Sequence, residues 1–293
     1  MYDVAMSVGP QHKEISRVSI RAVLEYLDPG VIYIITNRNN FSFYQQASDI
    51  REHIRLIDEE TLIPGVSIST LRSYLQDNNA NPDRAGWYLQ QFLTMAACTL
   101  PAISDHYLIL DADTVFLRKV KFFDDDGRVL YVPETENHQP YFDTYEKLLL
   151  RKRSVDHSCI SEHFMVNKQY MLDLIDTIAS GVDNKNKWPF IVMDTIEKKH
   201  LSGAGFADYE TYGNFVISEH KETIKARKLK HLRNSAKRFG SIPAKEDLYR
   251  LSLFYHYASF EVWNPRIPLR IMLEKSVSKI IYFFGKIFAK AEI

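Results

Sequence analysis

The chain has 293 residues, of which 45% are hydrophobic and 25% are charged, and its 37 Lys and Arg balance its 37 Asp and Glu. This composition is typical of a folded globular protein and excludes a chain that is disordered throughout. The net charge of zero conceals an uneven distribution of charge along the chain. Residues 1–220 hold 21 basic and 31 acidic side chains, whereas residues 221–293 hold 16 basic and 6 acidic side chains. The overall balance argues against a nucleic-acid-binding protein.

The first predicted elements form a β-α-β unit. An apolar run at 4–8 predicts a strand, apolar residues at helical spacing over 15–24 predict a helix, and a continuous apolar run at 31–36 predicts a strand of the parallel-sheet kind. The predicted fold class is therefore α/β. Neither turn carries a Gly-x-Gly-x-x-Gly or P-loop pattern, which disfavours a dinucleotide-dependent dehydrogenase or a P-loop kinase.

A second series of elements follows in the same alternating order. We predict a short strand at 61–63, a helix at 86–99 and a strand at 107–110. The remaining predicted elements are strands at 129–132 and 164–166 and helices at 169–179, 190–199 and 208–219. Because no repeat or low-complexity linker interrupts the pattern, we expect one domain over 1–260, followed by a tail over 261–293.

The cysteines and the chain ends indicate a cytoplasmic protein. Two cysteines, Cys98 and Cys159, are too few for a disulfide framework and lack a metal-binding spacing, so we expect both to be buried and reduced. The first residues lack a basic region followed by an apolar region, so no secretory signal is expected. No run of 18 apolar residues is present, so no transmembrane helix is expected.

The most informative motif is a pair of acids at the end of a predicted strand. Asp111 and Asp113 directly follow the apolar run at 107–110. That position is the carboxyl end of a parallel strand, where open α/β sheets bind ligands. Two carboxylates one residue apart suit a hard divalent cation and the phosphate oxygens that it holds. The alternative is a pair of solvated acids in an ordinary loop.

One enzyme class with this pattern is the haloacid-dehalogenase-type phosphatases, which place Asp-x-Asp-x-Thr after an apolar strand. Asp111 would then be the nucleophile and Asp113 the general acid. In those enzymes the motif lies on the first strand of the domain, whereas here about 106 residues precede the strand. The acids at 124–126 also follow too closely to return on another strand. We keep this class as the alternative.

Three segments together resemble bacterial glycosyltransferases of the GT-A fold, which use a nucleotide-sugar donor and a divalent metal. The segments are the Asp-x-Asp motif with the helix around Trp87, then Glu162-His163-Phe164-Met165-Val166, then Asp208-Tyr209-Glu210-Thr211-Tyr212-Gly213-Asn214. Their order and spacing are similar to those of a group associated with surface-polysaccharide synthesis. The resemblance covers about residues 1–220. It implies a GT-A-like, Rossmann-like mixed sheet, mostly parallel and flanked by helices.

The resemblance also implies a reaction and its partners. The cofactor would be Mn²⁺ or Mg²⁺, and the donor a nucleoside-diphosphate sugar, with a UDP-sugar favoured. The acceptor would be a hydroxyl of a glycan or a lipid-linked glycan. Asp113 would coordinate the metal directly, and Asp111 would contact the metal or the donor ribose.

The same resemblance assigns further contacts, residue by residue. Ser7, Val8 and Gly9 after the first strand, and Asn37 after the second, would hold the base and ribose of the donor. Three residues of the predicted helix at 86–99 and its start would lie near the donor, namely Arg84, Trp87 and Gln91. Glu162 and His163 would contact the transferred sugar or the acceptor.

An inverting transfer needs a general base for the acceptor hydroxyl. Asp208 and Glu210 open the helix predicted at 208–219, where the resembling inverting enzymes keep their base, and we favour Glu210 over Asp208. Two residues apart, the acids do not share a helical face, so only one is expected to act. The alternative is that both stabilise the helix N-terminus. A retaining enzyme would not need this base.

The basic end of the chain contains two segments of interest. Lys and Arg dominate 221–238, which would neutralise a leaving diphosphate, contact an anionic surface or form a solvated face. Residues 268–293 place apolar side chains at three- and four-residue steps with lysines around them, as in a helix that lies in a membrane interface. We therefore expect a peripheral protein on the inner face of the cytoplasmic membrane, with no nucleic-acid partner. Packing of this tail on the domain, or a non-catalytic glycan- or membrane-binding protein, are the alternatives.

Overall fold

The computed structural model describes residues 1–261, which contain ten strands. In chain order these are β1 (Asp3–Val8), β2 (Ile32–Thr36), β3 (Ile54–Asp58), β4 (His106–Leu110), β5 (Thr114–Phe116), β6 (Val129–Tyr131), β7 (His163–Asn167), β8 (Ile224–Ala226), β9 (His231–Leu232) and β10 (Tyr257–Ser259). The central sheet has the order β3-β2-β1-β4-β7. Its first four strands are parallel, and β7 pairs with β4 in the antiparallel direction.

Two smaller sheets complete the strand pattern of the described residues. Strands β5, β10 and β9 form a three-stranded sheet, in which β10 is antiparallel to β5 and parallel to β9. Strands β6 and β8 form a parallel pair. Since β5 begins directly after Asp113, the three-stranded sheet extends from the end of β4.

The helices flank these sheets. They are α1 (Lys13–Tyr26), α2 (Phe41–Gln45), α3 (Glu59–Leu62), α4 (Ile68–Asp77), α5 (Ala85–Ala96), α6 (Gln139–Leu149), α7 (Lys168–Ile178), α8 (Trp188–Thr195), α9 (Lys198–Leu201), α10 (Asp208–Glu219), α11 (Ala236–Phe239) and α12 (Lys245–Ser252). Helix α5 packs against β1, and α10 lies against α5, α6 and α7. The predicted class, a mixed α/β fold with a mostly parallel sheet between helices, is confirmed.

The central strands are buried because parallel strands are covered by helices on both faces. Every residue of β1 and β2 is buried, including the charged Asp3 at 3% exposure. The Asp3 carboxylate accepts hydrogen bonds from the backbone N–H groups of Val31 at 2.8 Å and Ser104 at 2.7 Å. Asp3 therefore joins the starts of β1 and β2 to the loop that leads into β4.

Two sequence predictions need correction. The strand predicted at 61–63 is instead β3, at Ile54–Asp58, and the Asp58 carboxylate then caps α3 by accepting from the N–H of Glu60 at 3.2 Å. Strand β3 lies at the sheet edge and is only partly buried, so its apolar pattern is weak. The helix predicted at 190–199 begins earlier, in α8, and is broken by extended backbone at Ile196 before α9.

The helix predicted at 208–219 is confirmed with the same bounds, as α10. The predicted tail helix at 268–293 lies outside the described residues. Within residues 1–261, no helix has the length and apolar content to cross a bilayer.

Candidate active site

Four of the sequence-predicted donor residues lie where the parallel strands of the central sheet end. Ser7 and Val8 end β1, Asn37 follows β2, and Asp111 follows β4. These strands are parallel, with Ala5 opposite Ile109, so their carboxyl ends meet at this edge. The Asn37 amide donates to the Glu59 carboxylate at 3.1 Å, and Ser7 is 7% exposed. The fold therefore brings together the residues that follow three different strands.

A tight turn holds the Asp-x-Asp motif. The backbone N–H of Thr114 donates to the carbonyl oxygen of Asp111 at 3.0 Å, which reverses the chain between β4 and β5. The carbonyl oxygen of Asp113 accepts from the N–H of Phe260 at 2.9 Å. The N–H of Asp111 donates to the carbonyl oxygen of Glu162 at 3.0 Å, so two other chain segments and the turn itself fix the backbone of the two acids. Asp113 is only 7% exposed.

The first turn of α10 lies against the motif. The Tyr209 hydroxyl donates to Oδ1 of Asp111 at 2.9 Å. Next to it, the Asp208 carboxylate accepts from the Thr94 hydroxyl, and the N–H of Asp208 donates to the Gln91 side-chain oxygen at 2.9 Å. Gln91 and Asp208, predicted separately from distant segments, are therefore direct neighbours. The N-terminus of α10 also brings a favourable partial positive charge to these carboxylates.

Enclosure by protein raises the pKa of each of these acids. Burial raises the pKa of Asp111 well above its ordinary value, and the carboxylates of Asp113 and Asp208 raise it further. Burial, with Glu261 nearby, raises the pKa of Asp113 to about 7. Burial raises the pKa of Asp208 to about 6, although the hydrogen bond from Thr94 opposes this effect. The ionised forms of these three carboxyl groups are therefore disfavoured unless a cation balances their charge.

One described cation, Arg233, lies within this acidic cluster. Its guanidinium forms ion pairs with Glu162 at 2.6 Å, Glu136 at 2.8 Å and Glu261 at 3.2 Å. Glu162 and Glu261 are 1% and 4% exposed. Glu162 also has a φ of 57°, a left-handed backbone that is uncommon for a side chain with a Cβ. Arg233 therefore joins the start of β7, the end of β10 and the segment after β6.

Several buried carboxylate oxygens in this cluster lack a hydrogen-bond partner within residues 1–261. They include Oε2 of Glu162, Oδ1 of Asp208 and Oε2 of Glu261. Buried polar atoms in native proteins nearly always have a protein, water or ion partner. Together with the raised pKa values of Asp111 and Asp113, these oxygens mark a region where added positive charge is favourable.

The donor set at the Asp-x-Asp motif fits a hard divalent cation. Asp111 and Asp113 offer carboxylate oxygens, the ligands that Mg²⁺ and Mn²⁺ prefer, and Mg²⁺ is often held by one or two carboxylates together with substrate phosphates. Among residues 1–261, no group of three or more His, Cys, Asp or Glu side chains forms a metal-binding cluster by itself.

Glu210 faces away from Asp111. Its Oε2 accepts from the N–H of Cys159 at 2.7 Å, and its side chain also bonds to Ser158. Burial raises the pKa of Glu210 to about 7. Asp208 and Glu210 thus lie on different faces of α10, as their spacing indicated, and Asp208 is the one within electrostatic reach of Asp111.

Three other predicted site residues, His163, Arg84 and Trp87, make aromatic contacts. The His163 ring is 3% exposed and packs against the rings of Phe116 and Tyr257, with centroids 5.3 and 4.7 Å away. Burial lowers the pKa of His163 to about 3, so its ring is neutral. Arg84 stacks on Trp87, with 4.4 Å from the guanidinium carbon to the ring centroid, at the start of α5.

Some residues of the site were not singled out in the sequence. Thr94 lies one helical turn beyond Gln91 in α5, so helical spacing offered a signal for it. Tyr209 lies between the two candidate bases, at a spacing that places it on a different face from each of them. Arg233 is one of several Lys and Arg residues in the basic stretch 221–238, and the sequence pattern did not separate it from the others. Glu261 reaches the site only because β10 pairs with β5, which no local pattern indicated.

Solved structures of glycosyltransferases are similar to this chain at low sequence identity. The mouse xyloside xylosyltransferase 1 apo form is 12% identical, with 91% of this chain and 99% of that chain covered and a TM-score of 0.45. The galactosyltransferase LgtC, in complex with donor and acceptor sugar analogues, is 10% identical, with 89% and 87% covered and a TM-score of 0.47. The apo form of the glycosyltransferase GlyE of Streptococcus pneumoniae TIGR4 is 11% identical, with 99% and 63% covered and a TM-score of 0.40.

No curated protein matches the sequence. A family model does match, over residues 11–260, which contain four of the five strands of the central sheet (all but β1), α10, Arg233 and β10. The chain belongs to DUF6492, a family of unknown function.

Proposed function

We propose that this protein is a metal-dependent glycosyltransferase that moves a sugar from a nucleoside-diphosphate sugar to a hydroxyl of a glycan or lipid-linked glycan. The observation that carries the proposal is the pair Asp111 and Asp113, fixed by a tight turn at the carboxyl end of β4 among carboxylates whose pKa values are raised. Such a pair needs a cation, and a cation held there would bind a diphosphate.

The proposed donor site follows from the sheet edge. Ser7, Val8 and Asn37 would hold the base and ribose of the donor, a UDP-sugar by preference. Asp113 and Asp111 would hold Mn²⁺ or Mg²⁺, which supplies positive charge for the leaving diphosphate. Glu162 supports this assignment, because its carbonyl oxygen accepts from the N–H of Asp111 and so fixes where the motif begins.

For an inverting reaction, Asp208 and Glu210 are the two candidate bases. Asp208 is closer to the motif, since it influences the pKa of Asp111 and is held by Thr94 and Gln91. Glu210 has a pKa of about 7, which suits a base at neutral pH, but its carboxylate is bonded to the backbone of Cys159. We therefore propose Asp208 as the base in this geometry and Glu210 as the competing assignment.

Three further assignments complete the proposal. Glu162 would contact the transferred sugar or the acceptor. The buried His163 would position that part of the site by packing within β7. Arg84, Trp87 and Gln91 would line the approach along α5. A role in surface-polysaccharide synthesis, at the inner face of the cytoplasmic membrane, would place the enzyme next to lipid-linked acceptors.

The test is a thermal-shift panel of nucleotide-sugars with and without Mn²⁺, followed by an assay for nucleoside diphosphate release. A ligand that binds the folded state and not the unfolded state raises Tm. We expect one donor class to do so, and only when Mn²⁺ is present. The same donor should then release nucleoside diphosphate. Release of phosphate from simple phosphomonoesters, lost in Asp111→Asn, would instead establish the phosphatase class. Binding of a glycan without nucleotide binding would establish a non-catalytic protein.

A further inference from the structure

The three-stranded sheet has ends of opposite charge. At one end, Asp113 precedes β5 and Glu261 follows β10. At the other end, Phe116 pairs with Tyr257, which in turn pairs with His231, and the chain segments beyond these residues are basic. The acidic end belongs to the candidate active site. The basic end has no part in it.

The basic end gathers cations from two distant segments. Lys119 and Lys121 follow β5, and Lys228 and Lys230 precede β9. The guanidinium of Arg227 donates to the carbonyl oxygen of Lys121, and the backbone N–H of His256 donates to the carbonyl oxygen of Lys230 at 2.7 Å. The first bond joins the two segments directly. The second joins them through His256, whose carbonyl oxygen accepts from the N–H of Leu117 at 2.8 Å.

The four lysines are exposed and form no ion pair with a described acid. We call Lys119, Lys121, Lys228 and Lys230 the lysine face. The ring of His256 lies beside the backbone of Lys230. Burial lowers its pKa, the hydrogen bond to Lys230 raises it, and the charges of Arg118, Arg227 and Lys230 lower it. The acids at 124–126 border the face, where Asp124 pairs with Arg128 and Lys225.

We propose that the lysine face docks this protein on an anionic lipid bilayer. The negative surface potential of an anionic leaflet attracts exposed lysines, and clusters of four or more Lys or Arg side chains are typical of protein surfaces that bind anionic lipids. A bilayer is favoured over nucleic acid because the same chain continues into 268–293, whose apolar side chains at helical spacing have a use in a lipid interface and none on a phosphate backbone. This inference does not depend on the chemistry at Asp111 and Asp113.

The geometry also sets the distance between the bilayer and the site. Residues 113–119 run along β5 and its continuation, and extended chain rises about 3.3 Å per residue, so the Asp-x-Asp motif would lie within about 20 Å of the lipid headgroups. A hydroxyl carried on a short lipid-linked glycan falls within that distance.

The test uses the full chain and two variants of equal charge. In the first, the four lysines of the lysine face are changed to Glu. In the matched control, four exposed cations elsewhere are changed to Glu, namely Arg72, Lys185, Lys187 and Lys198. Each protein is sedimented with vesicles of phosphatidylcholine alone, or of phosphatidylcholine with about one quarter phosphatidylglycerol. Circular dichroism and Tm of both variants establish that they are folded.

We expect the wild type and the control to bind the anionic vesicles, and the lysine-face variant to bind them at least about tenfold more weakly. Equal binding of the two variants would overturn the proposal, and so would equal binding of the wild type to both vesicle types. Loss of duplex-DNA binding in the lysine-face variant, with unchanged vesicle binding, would assign the face to nucleic acid instead. Donor hydrolysis in the absence of lipid should be the same in all three proteins. An absence of hydrolysis in all three would contradict the proposed function and leave the vesicle-binding result unaffected.

Discussion

The backbone N–H of Asp111 donates to the carbonyl oxygen of Glu162 at 3.0 Å. This bond continues the pairing of β4 with β7 by one residue, and Glu162 has a left-handed backbone. Its carboxylate then meets Arg233. Glu162 thus connects Asp111 to the ion pairs of Arg233. A substitution at Arg233 is therefore expected to disturb the two acids proposed to hold a metal, and a substitution at those acids is expected to disturb the ion pairs.

Loss of the Asp113 carboxylate should abolish metal-dependent donor binding. We expect Asp113→Ala to remove the rise in Tm that Mn²⁺ and the donor produce together, a stabilisation of about 2.7 kcal/mol when ligand is at about 100 times its Kd. Isothermal titration of the donor with Mn²⁺ measures the same loss directly. Asp125→Ala, in the exposed turn before β6, is the control and should titrate as the wild type does. Unchanged heats in Asp113→Ala would contradict the metal assignment.

Removal of the Arg233 guanidinium should destabilise the fold. Arg233→Met leaves Glu162 and Glu261 buried without their counter-ion, which costs about 3–5 kcal/mol when a buried pair loses one partner. Burial raises the pKa of Glu162 and the Arg233 guanidinium opposes that rise, so in Arg233→Met the ionised form of Glu162 is costlier than the protonated form. The defect should therefore be larger at about pH 8 than at about pH 5, as measured by urea unfolding.

The control for this experiment is Arg38→Met. The Arg38–Asp58 ion pair lies at the surface, with the Arg38 side chain 75% exposed. Its loss should change the free energy of unfolding by about 0–1 kcal/mol, with little dependence on pH. A similar effect of both substitutions would mean that Arg233 does not balance the buried carboxylates.

The pH dependence of kcat/KM should identify the general base. A base acts only when deprotonated, so activity falls as the pH drops through its pKa in the free enzyme. With Asp208 as base the acidic limb should lie near pH 6, and with Glu210 near pH 7. We expect Asp208→Asn to remove turnover while donor affinity stays nearly unchanged. Glu210→Gln should retain turnover. The opposite result would assign the base to Glu210, and full activity of both variants would indicate a retaining enzyme.

Two helical glycines should respond to alanine with opposite signs. At Gly213 in α10, a Cβ would lie 2.4 Å from Sγ and 2.6 Å from Cβ of Cys159, in a buried position, so Gly213→Ala should destabilise by about 1–3 kcal/mol. At Gly86 in α5, the nearest atom is 3.8 Å away, so Gly86→Ala should stabilise by about 0.5–1 kcal/mol through helix propensity. Thermal unfolding of the two variants measures both. A neutral Gly213→Ala would mean that α10 shifts readily against Cys159.

Sequence patterns predicted those parts of the fold that are fully buried and long. The strands at 4–8 and 31–36 and the helix at 208–219 agree with β1, β2 and α10, because continuous apolar runs and helical spacing directly reflect burial. The partly exposed edge strand β3 was misplaced. The short strands β8, β9 and β10 were missed, since two or three residues carry no period.

The candidate site was predictable where it follows strands and not where it depends on long-range pairing. Asp111 follows from the rule that open α/β sheets bind ligands at the carboxyl ends of their parallel strands. Ser7 and Asn37 were named from the family resemblance. Glu162 and Asp208 were named from the family resemblance. The Arg233 cluster required knowledge that β9 and β10 pair beside β5, which is a contact across more than 100 residues of chain.

The pairing of β5 with β10 has a consequence for biosynthesis. Asp113 is bonded through its carbonyl oxygen to Phe260, and Arg233 needs Glu261 as well as Glu162. A nascent chain that has emerged only as far as β7 already contains both acids of the motif, but it lacks the strand that orders them. Domains emerge from the ribosome beginning at the N-terminus. The metal site proposed at Asp111 and Asp113 should therefore take its final form only after residue 261 has left the exit tunnel and β10 can pair with β5.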